Sequence, residues 1–253
     1  MPKQYKIFRN GKIEKIDGHL PAETPVSLTV NGEIWLTFMC TPTRLETLAI
    51  GFLFNEGIIQ DFSEVADTRL CKDGDNVDVW LYHAAEKPKK WTRTSGCTGG
   101  MTSVDTKVET KRGARSKNVM LSPEQISALL KRLDEHQILY RQSGGLHTSI
   151  LTDGAEKTIS AEDIGRHNTL DKLAGIALVE NIAFKKRILL TTGRISSEMM
   201  QKAAKIKAEV VISRTSPSSL AVEIAEEEEI TLIGYAKGHR FNLYTHAERI
   251  AYP

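Results

Sequence analysis

The chain has 253 residues, is 40% hydrophobic and 26% charged, and sets 34 Lys and Arg against 32 Asp and Glu for a net charge of +2. That length holds one large or two ordinary domains, and the near balance of charge gives no global field that would select nucleic acid or a membrane surface. No apolar run approaches the roughly 20 residues that span a bilayer, the opening Met1-Pro2-Lys3-Gln4-Tyr5-Lys6 has no secretory apolar segment behind it, and three cysteines without a CxxC pair argue against a disulfide framework. A cytoplasmic protein with reduced thiols is expected.

Residues 26–38 read as a hairpin. Val26, Leu28 and Val30 alternate, Asn31-Gly32 supplies a two-residue turn, and Ile34, Leu36 and Phe38 alternate again. Cys40 ends this run and is expected to pack as a small hydrophobe. Thr43–Phe54 has helical spacing, with Leu45, Leu48, Ala49 and Phe52 on one face and Gly57 near its C-terminal cap. Cys71, just before the turn Lys72-Asp73-Gly74, also reads as structural, and Val77–Tyr82 as a short strand. This half is α+β.

The composition then changes. Residues 86–117 contain nine Lys or Arg against three acids, six net positive charges in a chain whose total is +2. Two readings stand: a solvated linker between domains, or a basic flexible arm that presents a reactive group to an anionic ligand or an acidic partner. The candidate reactive group is Cys97. Around it, Thr92 to Ser103 hold three glycines, six hydroxyl side chains and one large apolar residue, too little to bury, which predicts a mobile, accessible loop. Cationic neighbours lower a thiol's pKa and raise its thiolate fraction.

Ser122-Pro123-Glu124-Gln125 opens a helix with a capping box and proline in the first turn, followed by Ile126, Leu129, Leu130 and Leu133. Leu146–Leu151 and Lys157–Ile159 flank Asp153-Gly154, a second hairpin signal. Asn168–Val179 reads as a helix, 187–190 as a strand, Glu198–Lys207 as a helix, Glu209–Ile212 as a strand, Ser216-Pro217 to about Glu226 as a helix, and Ile230–Gly234 as a strand. Strand–helix alternation of this kind implies a parallel sheet with right-handed crossovers. The acidic run Glu226–Glu229 is a solvated helix end.

Ligands of open α/β sheets bind beyond the carboxyl ends of the strands. Those ends are Thr191–Ser197, Ser213–Ser219 and Gly234–Arg240. The first two lead into helix N-termini, which favour anions. Arg194, Arg214, Lys237 and Arg240, with Ser216, make a phosphate-accepting surface. Neither GxxxxGK[ST] nor GxGxxG is present, which excludes a P-loop nucleotidase and a dinucleotide dehydrogenase. Glu162-Asp163-Ile164-Gly165-Arg166-His167-Asn168 is either a charged helix entry or places His167 as a donor or proton shuttle; His147 and His246 are further candidates to line the cleft. No zinc signature occurs, whether HxE with PCxxC, HExxH or a cysteine pair.

Taken in order, Leu48–Ile59, Thr94–Gly100, Gly144–His147, Glu162–Leu173, Thr191–Ala203, Ser213–Ala221 and Gly234–His246 resemble the FdhD family of formate dehydrogenase accessory proteins over nearly the whole chain. The resemblance implies a sulfur carrier, a sulfurtransferase acting through a cysteine persulfide. It takes sulfane sulfur from a cysteine desulfurase and passes it to the molybdenum cofactor, Mo-bis(molybdopterin guanine dinucleotide), before insertion into formate dehydrogenase. A guanine nucleotide is the expected surrogate ligand. The persulfide cysteine falls on Cys97, and the cofactor-binding stretch on Tyr235, Ala236, Lys237, Gly238, His239 and Arg240. A homodimer and a C-terminal domain similar to the cytidine deaminase fold, without zinc, are also implied. The expected division is an α+β domain at 1–85, the basic segment at 86–118, and a three-layer α/β domain at 119–253. Many members carry a CxxC at the loop; Gly100 stands where the second cysteine would be, so a disulfide within this loop is unavailable. The alternative is a cofactor-binding chaperone in which Cys97 is only a contact.

Overall fold

The computed structural model describes residues 2–89, 91–93, 101–103 and 119–251. The chain opens with a hairpin, β1 (Pro2–Arg9) against β2 (Lys12–His19). Its turn, Asn10-Gly11, has φ of 52° and 77°, the left-handed pair that a two-residue hairpin turn requires. This hairpin escapes the hydrophobic pattern because it buries almost nothing: Phe8 and Ile13, opposite each other, are 75% and 68% exposed.

The predicted hairpin at 26–38 is present as β3 (Thr24–Val30) and β4 (Glu33–Cys40). Helix α1 (Leu45–Asn55) follows, then β5 (Val65–Leu70) and β6 (Asn76–Leu81). The strands lie in the order β4-β3-β6-β5, with β3 and β6 parallel. β5 was not expected; as an edge strand it carries Asp67, Thr68 and Arg69 in place of an apolar alternation. Val26, Leu28, Phe38, Val77 and Val79 bury one face of the sheet against Leu48, Phe52 and Leu53 of α1. Cys40 is fully buried there. Cys71 is half-buried and staples its turn, donating to Asp75 Oδ1 at 2.9 Å and accepting from Asn76 N–H at 3.3 Å.

Two short strands, β7 (Trp91–Arg93) and β8 (Met101–Ser103), pair antiparallel with Arg93 opposite Met101. They bracket residues 94–100, so Cys97 itself lies outside the described residues.

Helix α2 (Pro123–Glu135) has the expected capping box on Ser122 and Gln125. After it come α3 (Ile138–Ser143), β9 (His147–Thr152), β10 (Thr158–Asp163), α4 (Arg166–Val179) and β11 (Ile188–Thr191). The remainder is α5 (Ser197–Lys205), β12 (Val210–Ser213), α6 (Ser219–Glu227), β13 (Thr231–Lys237) and β14 (Arg240–Leu243). The sheet order is β10-β9-β11-β12-β13-β14. Strands β11, β12 and β13 are parallel as expected, but β9, β10 and β14 run antiparallel to their neighbours, which makes the sheet mixed. One face packs on Ile126, Leu129, Leu130 and Leu133 of α2, the other on Leu170, Leu173, Met199, Met200, Ala221 and Ala225 of α4, α5 and α6. The result is a three-layer α/β/α unit beside the α1 sheet, a two-part α+β architecture.

Two boundaries differ from expectation. Ser216-Pro217 does not open a helix: Pro217 bridges Ile195 in an extended segment, and Ser218 is the cap of α6, its side chain accepting from Ala221 N–H. The stretch after Ile233 is not a loop either. It continues β13 to Lys237 and turns back at Arg240 as β14, because a strand on the outer side of β13 can complete its hydrogen bonds locally.

Candidate anion-binding edge

The carboxyl ends of β11, β12 and β13 lie on one edge of the sheet, and the antiparallel β9 and β10 bring the start of one and the end of the other, His147 and Asp163, to that same edge. Backbone bonds stitch the loops together. Arg214 N–H donates to Thr191 O at 3.2 Å, Ile195 N–H to Ser216 O at 3.2 Å, Ser218 N–H to Ile195 O at 2.9 Å, and Tyr235 N–H to Thr215 O at 3.1 Å. Ser213 adds a side-chain tie, its hydroxyl donating to Gly193 O at 2.7 Å while accepting from Thr215 N–H at 3.0 Å. Three segments distant in sequence therefore form one continuous rim.

At its centre is Gly193. A Cβ there would stand 2.9 Å from Arg166 Cβ and 3.5 Å from His147 Nδ1, so the absence of a side chain is what allows the β11–α5 turn to lie against both. Thr192 accepts from Thr148 N–H at 3.1 Å and lies 3.5 Å from His147 Nδ1. Burial first, then the Arg166 guanidinium, with Arg194 adding and Asp163 opposing, hold the His147 pKa below its ordinary value. His167, only 4% exposed, is pushed to about 2 by burial first, then by Lys202, Arg166 and His147. It is therefore neutral. The Ser196 hydroxyl accepts from Met199 N–H at the start of α5 and shares a hydrogen bond with His167 Nε2 at 3.3 Å, the imidazole tautomer deciding which of the two donates.

Beneath the rim two buried ion pairs fix α4. The Asp163 carboxylate accepts from Lys172 Nζ at 2.6 Å, Gly165 N–H at 2.8 Å, Asn168 Nδ2 at 2.9 Å and Thr41 N–H at 3.1 Å. Lys172 also donates to Thr41 O, and Asn168 to Met39 O, so the knot ties the α4 N-terminus to the β4–α1 turn. One turn on, Lys202 meets both carboxylate oxygens of Asp171 at 2.7 and 2.6 Å, with Asn55 donating to Asp171 Oδ1 at 2.7 Å. These donors satisfy both carboxylates in a site from which water is excluded.

The residues predicted from sequence are distributed over this edge as follows. Arg194 is exposed on the β11–α5 turn. Arg214 is half-buried and ion-paired with Asp134 near the end of α2. Ser216 contributes its carbonyl to the stitching. Tyr235 is 49% exposed at the bulge of β13, whereas Ala236 turns inward, 1% exposed, into the core under α2 and can offer a ligand only its backbone. Lys237, Gly238, His239 and Arg240 are exposed on the hairpin beyond. His246 is not at the cleft: its carbonyl accepts from Thr231 Oγ1 at the opposite end of β13, where antiparallel β14 has returned the chain.

Sequence reading missed the roles of Asp163, Asp171, Lys172 and Lys202. On a helix, charges at such spacing ordinarily mark a solvated face. The available signal was Gly175 in the middle of α4, a residue that weakens a helix unless a close packing contact needs it.

Among the described residues, no group of three or more His, Cys, Asp and Glu side chains is placed to hold a metal ion, and no helix is long and apolar enough to cross a membrane.

The profile of the FdhD/NarQ family matches residues 21–251. The chain belongs to the FdhD/NarQ family. It is 36% identical to the sulfur carrier protein FdhD of Bacillus subtilis (strain 168), over 96% of this chain and 94% of that one. It is 34% identical to the protein of the same name from Staphylococcus aureus (strain MRSA252), over 96% and 93%. A crystal structure from Desulfotalea psychrophila, provisionally described as a formate dehydrogenase accessory protein, superposes with a TM-score of 0.78 at 26% identity and covers 99% of both chains. The family match excludes the β1–β2 hairpin and includes the whole candidate edge.

Proposed function

We propose that this member of the family is a sulfur carrier that serves the molybdenum cofactor before its insertion into formate dehydrogenase. The observation that carries the reading is the single rim made by Arg194, Arg214 and the Tyr235–Arg240 hairpin, together with relatives that bear the name sulfur carrier protein. Backbone N–H groups at helix starts and guanidinium groups are suited to the phosphates of a guanine dinucleotide. Neutral His167 and half-buried His147 add uncharged polar groups behind them.

In this reading Cys97 is the acceptor. Its thiolate attacks the sulfane sulfur of a persulfide on a cysteine desulfurase, a sulfur–sulfur bond forms on Cys97, and the donor cysteine leaves as thiolate. Handing that sulfur to the cofactor, the substrate of the transfer, breaks the same sulfur–sulfur bond and returns Cys97 to its thiolate, with the two electrons that take sulfane sulfur to sulfide coming from a reduced molybdenum centre of the cofactor. The protein acts in the cytoplasm as a homodimer, with residues 1–85, 86–118 and 119–253 as its parts, and its three-layer unit, with a mixed sheet and no zinc-ligand cluster among the described residues, is compatible with a deaminase-like scaffold.

Incubation with a cysteine desulfurase and cysteine, followed by peptide mass spectrometry, tests the reading. A gain of one sulfur on the Cys97 peptide, reversed by reductant and absent in Cys97→Ala, is expected. Sulfur transfer by Cys97→Ala at the wild-type rate would overturn it. Cofactor binding without any sulfur gain would favour the chaperone alternative.

A further inference from the structure

The ion pair between Arg214 and Asp134 has a consequence for the affinity of this edge. Arg214 follows β12 directly, and its backbone is fixed by the bond to Thr191 O and by the neighbouring Ser213–Thr215 tie. Its guanidinium, however, points to α2 and pairs with Asp134 Oδ1. The pair is only loosely held: the two side chains are 35% and 50% exposed, and the guanidinium Nε, although itself buried, has no hydrogen-bond partner among the described residues.

Asp134 sits in the last turn of α2, where the helix dipole disfavours a carboxylate. The local structure compensates with other donor groups. Arg141 donates to the carbonyls of Asp134 and Glu135 at 2.8 and 2.6 Å, and Gln137 Nε2 reaches Asp134 Oδ1 at 3.3 Å. The α2 terminus thus keeps partners when Arg214 leaves. Of the neighbouring acids, Asp163 is engaged by Lys172 and Glu162 by the N–H groups of Leu139 and Tyr140, while Glu198 in the first turn of α5 holds no rim cation among the described residues, its buried Oε2 having no hydrogen-bond partner there. Among the described residues, Asp134 is the half-exposed carboxylate paired with Arg214.

We infer that Asp134 is an internal competitor for Arg214 and sets the phosphate affinity of the edge. A phosphate arriving at the β12 end must draw Arg214 away from Asp134. A bidentate bond to phosphate is the stronger of the two, while an exposed ion pair is weak and easily exchanged. The competition keeps an unoccupied rim from holding simple anions tightly and favours a ligand that engages several loops at once.

This inference rests on the reading of the rim as a phosphate site. The test is calorimetric titration of GDP and of inorganic pyrophosphate, at low and high salt, into the full-length wild type, Asp134→Asn, Arg214→Gln and the double variant. Asp134→Asn is expected to tighten binding about two- to fivefold at low salt, the fold-change matching an ion pair of this exposure. The gain should vanish in the Arg214→Gln background and shrink at high salt. Unchanged or weaker binding by Asp134→Asn, or a gain that survives loss of Arg214, overturns the inference while leaving the phosphate site standing. If the wild type binds neither probe, the reading of the rim fails and the inference with it. Unchanged thermal unfolding of Asp134→Asn checks that the surface substitution is read in the intact fold.

Discussion

Gly51 of α1 and Gly175 of α4 meet at a helix crossing with no room for a side chain on either. A Cβ on Gly51 would fall 1.8 Å from Asp171 O, and one on Gly175 1.9 Å from Thr47 O. The two parts of the molecule are joined backbone to backbone at this point, and the same stretch of α4 carries Asp171 and Lys172. Gly175→Ala is therefore expected to destabilise the protein by about 2 kcal/mol or more through overpacking, read by chemical denaturation. A variant as stable as the wild type would show that the crossing can relax.

The Asp163–Lys172 pair should behave as a buried ion pair does when one partner is removed. Both side chains are at most 1% exposed. Lys172→Met leaves the carboxylate with three donors but no cation, and a loss of about 3–5 kcal/mol is expected. Because Asp163 also receives Gly165 N–H, guanine nucleotide binding should weaken more in this variant, while still folded, than in Gly175→Ala.

Stability should fall below neutral pH. The His167 pKa is about 2 in the folded protein against an ordinary value of 6.5. Above 6.5 both states are neutral and the full stability is present. Below it the unfolded ring takes up a proton that the folded ring refuses, so the folded state loses about 1.4 kcal/mol for each further pH unit. His147, lowered for a similar cause, adds in the same direction. Unfolding free energy measured from pH 8 to 5 should show this slope, and His167→Gln should flatten most of it.

Cys40 should be inert. Burial first, with Asp163 adding, pushes its thiol up to about 12, so it stays protonated and out of reach at pH 8. Alkylation with iodoacetamide followed by peptide mapping is expected to leave Cys40 unmodified until denaturant is added, while half-buried Cys71 is modified in the folded protein. Early labelling of Cys40 would contradict the packing of the β4 end.

Gly193→Val tests the rim itself. The new side chain must displace Arg166 or His147, given the 2.9 Å approach to Arg166 Cβ. Nucleotide affinity should drop at least about tenfold if these groups shape the site, since misplacing the donor of a charge-assisted hydrogen bond costs about 1.5–3 kcal/mol. Titration of GDP measures it.

Much of the framework was legible along the chain. The Asn31-Gly32 turn, the Ser122–Gln125 capping box and the β11–α5–β12–α6–β13 alternation are local signals, each decided by residues within a few positions of one another. The exposed β1–β2 hairpin and the polar edge strand β5 were not, because pattern reading detects burial and these elements bury little. Ser216-Pro217 misled for a related reason: Ser-Pro suits a helix start, but pairing of Pro217 with Ile195 outweighed the local preference.

The sequence by itself determined the α/β framework, the cationic strand ends, the placement of Cys97 in a polar, glycine-rich stretch and the family. Periodicity, turn chemistry and motif order are written in neighbouring residues. Only the tertiary structure decided which charges are solvated and which are buried. Lys172 and Lys202 look like surface lysines until Asp163 and Asp171, Thr41 and Asn55 are brought around them from four different segments. It likewise decided that Arg214 is shared with Asp134 and that His246 faces the far edge. Those outcomes depend on which elements become neighbours, and burial and pairing across such distances leave no local trace in the chain.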